Sequence, residues 1–166
     1  MTPRSLALAT SVVVVASLFL RWQVVAPVRV EGVSMCPTLL PGELALLRKA
    51  GPSVARGDVV ALQLPDQPTS VKRVVALEGE VVEIRDALLY IDGVEVPEAY
   101  VDHERIDGLY YGPVEVGPGQ LLVLGDARDS SIDSREYGTV PASAVTGVVV
   151  RGLGGGDRAA CAELAP

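Results

Sequence analysis

Histidine occurs once in this chain, at His103, and cysteine twice, at Cys36 and Cys161. Their scarcity removes one class of chemistry. A zinc site needs three or four ligands at short characteristic spacings, and two distant cysteines with one histidine supply none. No metal and no other cofactor is expected. Aromatic residues are also few, at 4%, so the apolar content rests on Val, Leu and Ala. Positive charge is in the minority as well: 14 Lys and Arg stand against 21 Asp and Glu, a formal charge of −7. Nucleic-acid binding needs clustered Lys and Arg to meet phosphates, so nucleic acid is not an expected partner. Cys36 and Cys161 are able to pair outside the cytosol; the sequence leaves open whether they do.

What the chain does have is turn formers, 17 Gly and 12 Pro among 166 residues. That composition reads as many short strands rather than a helix bundle, in one domain with an appendage. The appendage is N-terminal. Leu6 to Leu20 carries no charge and would make about 22 Å of helix. Arg21, Trp22 and Val24-Val25-Ala26 extend it towards the roughly 20 residues that span a bilayer. A cleaved secretory signal is the rival reading, with Val24-Val25-Ala26 as its small-residue cut site. Pro27 would then follow the cut, with a fixed φ and no N–H for an extended substrate to donate. An uncleaved anchor over residues 1–28 is therefore the expectation, with Arg4 on one side and Arg21 and Arg29 on the other leaving its orientation undecided.

From Val28 onward the pattern is that of strands. Strands are expected near Glu43 to Arg48, Val59 to Leu64, Val71 to Leu77, Val81 to Arg85, Leu121 to Leu124 and Val145 to Val150. Leu88 to Ile91 and Val94 to Val96 flank Asp92-Gly93, a hairpin signal because both turn residues must accept positive φ. Pro97 to Pro113 reads as irregular. Residues 153–166, opening on a glycine run, read as a flexible tail too polar to pack.

Chemistry concentrates in three stretches. Ser34 lies two residues after Gly32 and three before Pro37. A serine hydroxyl is a poor nucleophile until a base takes its proton. Lys72, in the apolar run Val71-Lys72-Arg73-Val74-Val75, is the candidate base. Burial disfavours an ammonium and lowers its pKa, and a drop of about two to three units would leave a usable amine near neutrality. The pattern also permits Arg73 to face inward with Lys72 in solvent, or both to sit on an edge. The third stretch, Leu124 to Gly138, mixes hydroxyl residues with alternating charges, and alone it reads as a solvated loop with local turn hydrogen bonds.

Together these stretches resemble bacterial type I signal peptidases, the membrane-bound Ser/Lys leader peptidases, in a compact single-anchor form. Ser34-Met35-Cys36-Pro37-Thr38-Leu39 is similar to the family's nucleophile box and Arg56-Gly57-Asp58-Val59-Val60 to its next strand. Lys72-Arg73-Val74-Val75 is similar to the lysine box, and Gly125-Asp126 through Gly138 to the last one. The resemblance implies a mostly β fold, a barrel or sandwich of antiparallel sheets over residues 29–152, behind one N-terminal transmembrane helix. It implies Ser34 as nucleophile and Lys72 as general base, forming an acyl-enzyme. Ser131 would orient Lys72, Asp133 and Arg135 would pair to shape the last box, and Asp126, Arg73 and Arg128 would support the site. The Ser34 backbone N–H would be one oxyanion donor; Gly32 stands where some members supply a serine hydroxyl.

The implied substrates are exported preproteins with small residues one and three positions before the cut, processed on the extracytoplasmic face of the cell membrane. Met35, Leu39 and Leu40 would touch lipid. The sequence departs from the family pattern at Glu78-Gly79-Glu80, Ala127 and Ser130. Within the same fold, a peptidase dedicated to one precursor and a self-cleaving repressor-type protein are alternatives. So, outside it, is a catalytically inactive anchored β-domain that binds partners.

Overall fold

The computed structural model describes residues 25–49, 53–103, 106 and 108–162. Eleven strands are set out among them: β1 (Val25–Arg29), β2 (Leu44–Lys49), β3 (Val59–Leu62), β4 (Ser70–Leu77), β5 (Val81–Arg85), β6 (Leu88–Ile91), β7 (Val94–Glu95), β8 (Tyr111–Glu115), β9 (Gln120–Leu124), β10 (Val140–Pro141) and β11 (Val145–Gly152). Two short α-helices, α1 (Ser134–Tyr137) and α2 (Arg158–Ala162), and a 3-10 turn (Ala142–Ala144) complete the described elements. One antiparallel sheet runs β1-β2-β11-β3-β4-β9-β10, and a smaller one runs β7-β6-β5-β8. The mostly β, antiparallel expectation holds.

Period-two alternation explains how the sheets pack. On β9, Leu122 and Leu124 enter a core shared with Val82, Ile84, Leu89 and Ile91 of the smaller sheet. Leu121 and Val123 point the other way, into a cluster with Val60, Leu62 and Val140. Both faces of the central strands are therefore covered, which is why β3 and much of β4 read as continuous apolar runs rather than alternating ones. The β6–β7 hairpin turns at Asp92 and Gly93 with φ of 51° and 77°, as its Asp-Gly requires.

Three expectations change. Val25 to Val28 is not the end of an anchor: β1 pairs with β2 from Val25↔Arg48 to Arg29↔Leu44, because this Val-rich segment meets an open strand edge. The remainder of the expected anchor, residues 1–24, lies outside the described residues, and among the described residues no helix is long and apolar enough to cross a membrane. The tail is packed as far as Ala162. Its glycines let the backbone lie against residues 40–44, and Cys161 forms a disulfide with Cys36 across 125 residues of sequence. Closing so long a loop restricts the unfolded chain by about 4–5 kcal/mol on the chain-entropy argument. Finally, Met35 and Leu39 are buried, 1% and 3% exposed, in a cluster with Val30, Ala45 and Val59. They anchor the nucleophile segment into the domain instead of facing lipid.

Candidate active site

Ser34 sits on a loop closed at its base by paired backbone bonds: Val30 N–H to Glu43 O at 2.8 Å and Gly42 N–H to Val30 O at 2.9 Å. Leu39 N–H to Met35 O and Cys36 N–H to Val33 O, both 2.9 Å, coil its middle. The inward Met35 and Leu39 turn that coil so that Ser34 stays half-buried at its surface. Among the described residues the Ser34 N–H donates to no backbone acceptor, while its carbonyl accepts from the Ala127 N–H at 3.1 Å. The last box thus holds the nucleophile loop directly through main chain.

Lys72 reaches Ser34 from β4. Its Nζ lies 3.0 Å from Ser34 Oγ. Lys72 pairs with Val60 across the β3–β4 ladder and Arg73 with Val59, so the two side chains leave opposite faces. The choice between an inward lysine and an inward arginine disappears, since both faces are covered: Lys72 is 5% exposed and Arg73 9%. Burial pulls the Lys72 amine below its ordinary value of 10.5; the nearby Asp133 charge opposes this and Arg135 adds to it. A buried amine at hydrogen-bond distance from a hydroxyl can accept its proton once neutral.

The last box wraps the other side of this pair. Gly125 follows Leu124, which pairs with Arg73, so the chain passes beside Lys72 there. A Cβ at Gly125 would stand 2.2 Å from Ser131 Oγ and 2.6 Å from the Ser34 carbonyl oxygen, so only glycine lets the two loops approach. Ser131 is brought to the site, yet its buried Oγ makes no hydrogen bond to Lys72; its hydroxyl instead helps to hold the Asp133 carboxyl low. The expected serine–lysine bond is not formed in this arrangement. Asp133, fully buried, accepts from Arg135 Nε at 2.8 Å and Nη2 at 2.9 Å and from the Gly125 N–H at 3.0 Å. It also caps α1 through a reciprocal box with Glu136. Burial alone would raise the Asp133 carboxyl, but the bonds and charge of Arg135 and the Gly125 N–H hold it below its ordinary value.

Arg73 and Asp126 make a two-point pair, Nε to Oδ1 at 2.8 Å and Nη2 to Oδ2 at 2.6 Å. Thr38 accepts from Arg73 and donates to Asp126, which ties the nucleophile loop into the same network. Arg73 also lies 3.8 Å from the Tyr100 ring centroid. Arg128 donates to Gly125 O at 3.0 Å and to buried Glu98 at 2.6 Å, and Glu98 accepts from Tyr100 at 2.8 Å. Sequence reasoning missed Thr38, Glu98 and Tyr100 as supports. Thr38 lies in the nucleophile box itself, and for Glu98 and Tyr100 the only signal was the acidic and aromatic content of a segment that reads as irregular. Gly32 is exposed, with nothing within 4 Å of where its Cβ would lie. Among the described residues no group of His, Cys, Asp and Glu is arranged to hold a metal ion.

Comparison with known proteins adds a family to this geometry. A family model described as signal peptidase, peptidase S26, matches residues 4–152. A signal peptidase I of Bacillus licheniformis is 36% identical over 139 residues, covering 76% of this chain and 75% of that protein. Signal peptidase I V of Bacillus subtilis (strain 168) is 32% identical over 157 residues, 86% of this chain and 94% of that one. A solved signal peptidase I from Enterococcus faecalis V583 shares 32% identity at a TM-score of 0.52, covering 58% of this chain and 96% of that chain.

Proposed function

The chain belongs to the signal peptidase family, peptidase S26, whose members are serine peptidases that remove signal peptides from exported preproteins, and on that premise we propose that it works through a Ser34/Lys72 dyad and an acyl-enzyme. The observation that carries this reading is the 3.0 Å approach of a buried lysine amine to the Ser34 hydroxyl. Neutral Lys72 accepts the hydroxyl proton as Ser34 Oγ attacks the carbonyl that ends the leader. The oxyanion forms beside the Ser34 N–H. Collapse expels the amine of the mature chain, which takes the proton back from Lys72, and leaves the leader esterified to Ser34. Lys72 then deprotonates a water that hydrolyses the ester, and Ser34 recovers its proton.

Ser131 serves as a positioning hydroxyl for Lys72 after a side-chain rotation. Asp133 with Arg135, and Asp126 with Arg73, hold the surrounding loops. β1 is an edge strand that ends one residue before Val30 at the base of the Ser34 loop, and it offers a place for a preprotein to add in extended form. The substrates are preproteins with small residues one and three positions before the cut. The chain is held by a single N-terminal anchor, with the β domain on the extracytoplasmic face of the cell membrane.

The test is cleavage of a secretory precursor by the full chain in detergent. Ser34→Ala and Lys72→Ala should each lose at least about 10²-fold in rate, and Lys72→Arg should fail as well because guanidinium stays protonated. Bulky residues one or three positions before the cut should abolish cleavage. Full activity in either alanine variant removes the dyad.

A further inference from the structure

The tail braces the same loop that carries Ser34. Leu153 N–H donates to Leu44 O at 2.7 Å, and Asp157 N–H to Pro41 O at 2.8 Å. Gly154 N–H donates to Glu43 Oε1 at 3.1 Å, while the other oxygen of that buried carboxylate accepts the Leu40 N–H at 2.9 Å. Gly156 lies so close that a Cβ there would stand 2.4 Å from Leu40 Cβ and 2.9 Å from Glu43 Cβ. Asp157 caps α2, accepting the Ala159 N–H at 2.9 Å, and α2 delivers Cys161 to Cys36, two residues beyond Ser34. Beneath this bridge, Pro37, Leu40, Ala127, Arg158 and Ala162 border a cavity of about 350 Å³. Cys36 and Cys161 line the same cavity, so the disulfide spans it from the loop to the tail.

We infer that residues 153–162, fastened through Cys36–Cys161, are a positioning clamp for Ser34, so that peptidase turnover depends on the disulfide. This rests on Ser34 being the nucleophile. Reduction by a dithiol such as dithiothreitol transfers two electrons and two protons: the Sγ–Sγ bond becomes two thiols and the reductant leaves as its cyclic disulfide. The tail then keeps its bonds from Leu153, Gly154 and Asp157 to Leu44, Glu43 and Pro41 but loses its covalent tie to the Ser34 loop. The Ser34 loop gains freedom, and the 3.0 Å contact to Lys72 is populated for a smaller fraction of the time. Reoxidation, by exchange with a small-molecule disulfide, restores it. The device would favour cleavage where disulfides persist, outside the cytosol.

The experiment compares kcat and KM for precursor cleavage by the full chain in detergent in four forms: oxidised, reduced with thiols counted by alkylation and mass, reoxidised, and Cys161→Ser. Circular dichroism at the assay temperature reports the folded fraction of each. A fourth comparison, Gly156→Ala, displaces the tail from Leu40 with the disulfide intact. The expected result is a fall in kcat of about tenfold or more on reduction, KM within about twofold, full recovery on reoxidation, and Cys161→Ser matching the reduced form and insensitive to reductant. Gly156→Ala should fall between the two. Unchanged kcat in the reduced protein and in both variants overturns the clamp. So does a loss of kcat that only tracks loss of folded protein. If Ser34→Ala cleaves as well as wild type, the nucleophile assignment fails instead. A dead Ser34→Ala beside a redox-indifferent wild type removes the clamp alone.

Discussion

Lys72 Nζ stands 3.0 Å from Ser34 Oγ, and the lysine that makes the contact is only 5% exposed. The two residues come from a closed loop and a central strand, 38 positions apart, and the loop is seated on Val59 and Val71 of the same β3–β4 pair that carries Lys72. Burial keeps the amine below its ordinary value of 10.5, so the same environment that places it also makes it a base.

The rate should therefore depend on a group that must lose a proton. Cleavage is expected to rise with pH through the folded-state value of Lys72 and to fall on its acid side, with a midpoint below that of an ordinary lysine. The linked stability effect has the opposite benefit. Between the folded value and 10.5 the unfolded chain binds a proton that the folded chain does not, so folding is favoured as pH rises across that window. Lys72→Met should then melt higher than wild type near neutrality, with the gain shrinking as pH approaches 10.5. Thermal melts across pH check this; a variant less stable than wild type at pH 7 would contradict it.

Asp133 provides the converse case. Its carboxyl is held below its ordinary 3.8 despite burial, by Arg135 and the Gly125 N–H. Its contribution is complete above about pH 3.8 and is lost as pH falls through the folded value. Asp133→Ala leaves Arg135 without its partner and should cost about 3–5 kcal/mol in denaturant unfolding at pH 7. The gap to wild type should narrow in acid.

How much of this was legible in the sequence depends on the period of the signal. The Asp92-Gly93 hairpin and the apolar runs at Val59 and Leu121 are local patterns, and the strands lie where those patterns put them. Lys72 and Arg73 were ambiguous because alternation predicts one buried and one exposed side chain. Here both are buried, because the Ser34 loop reaches Lys72 while Thr38, Asp126 and Tyr100 cover Arg73, and these come from elsewhere in the chain. Met35 and Leu39 read as apolar neighbours of an anchor, yet burial is decided by Val30, Ala45 and Val59, which are brought to them by the fold. The tail was missed for the same reason: three glycines in a row have no pattern, and what orders them is a set of hydrogen bonds to residues 41–44 and a cysteine pair 125 positions apart. Glu98 and Tyr100 come from a segment without periodicity and acquire a role only beside Arg73 and Arg128.

Gly125 marks where the loops meet most closely. Gly125→Ala should abolish cleavage and destabilise by about 1–3 kcal/mol, since its Cβ would drive Ser131 and the Ser34 carbonyl apart. Gly117→Ala is the control: its Cβ would meet only Gln120 Cγ at 3.7 Å, an ordinary contact. Equal activity in the two variants would contradict the crowding argument.

Ser131 separates positioning from stability. Its Oγ is buried and makes no hydrogen bond to Lys72, and the Asp133 carboxylate it acts on is also held by Arg135 and the Gly125 N–H, so Ser131→Ala should cost no more than about 1 kcal/mol of unfolding free energy. Cleavage should still fall by about tenfold or more if the hydroxyl turns to Lys72 during turnover. Matched melts and rates on the purified variant decide it; a large stability loss with unchanged rate would reverse the assignment.

The central claim is that Ser34 carries the acyl group and Lys72 enables its transfer. Rapid-quench mass spectrometry of the full chain with a precursor peptide reads this directly, by mapping the residue that carries the leader fragment. The account predicts an adduct on Ser34 in the wild type and none in Lys72→Ala under the same conditions. An adduct on another residue, or an undiminished Ser34 adduct in Lys72→Ala, would contradict it.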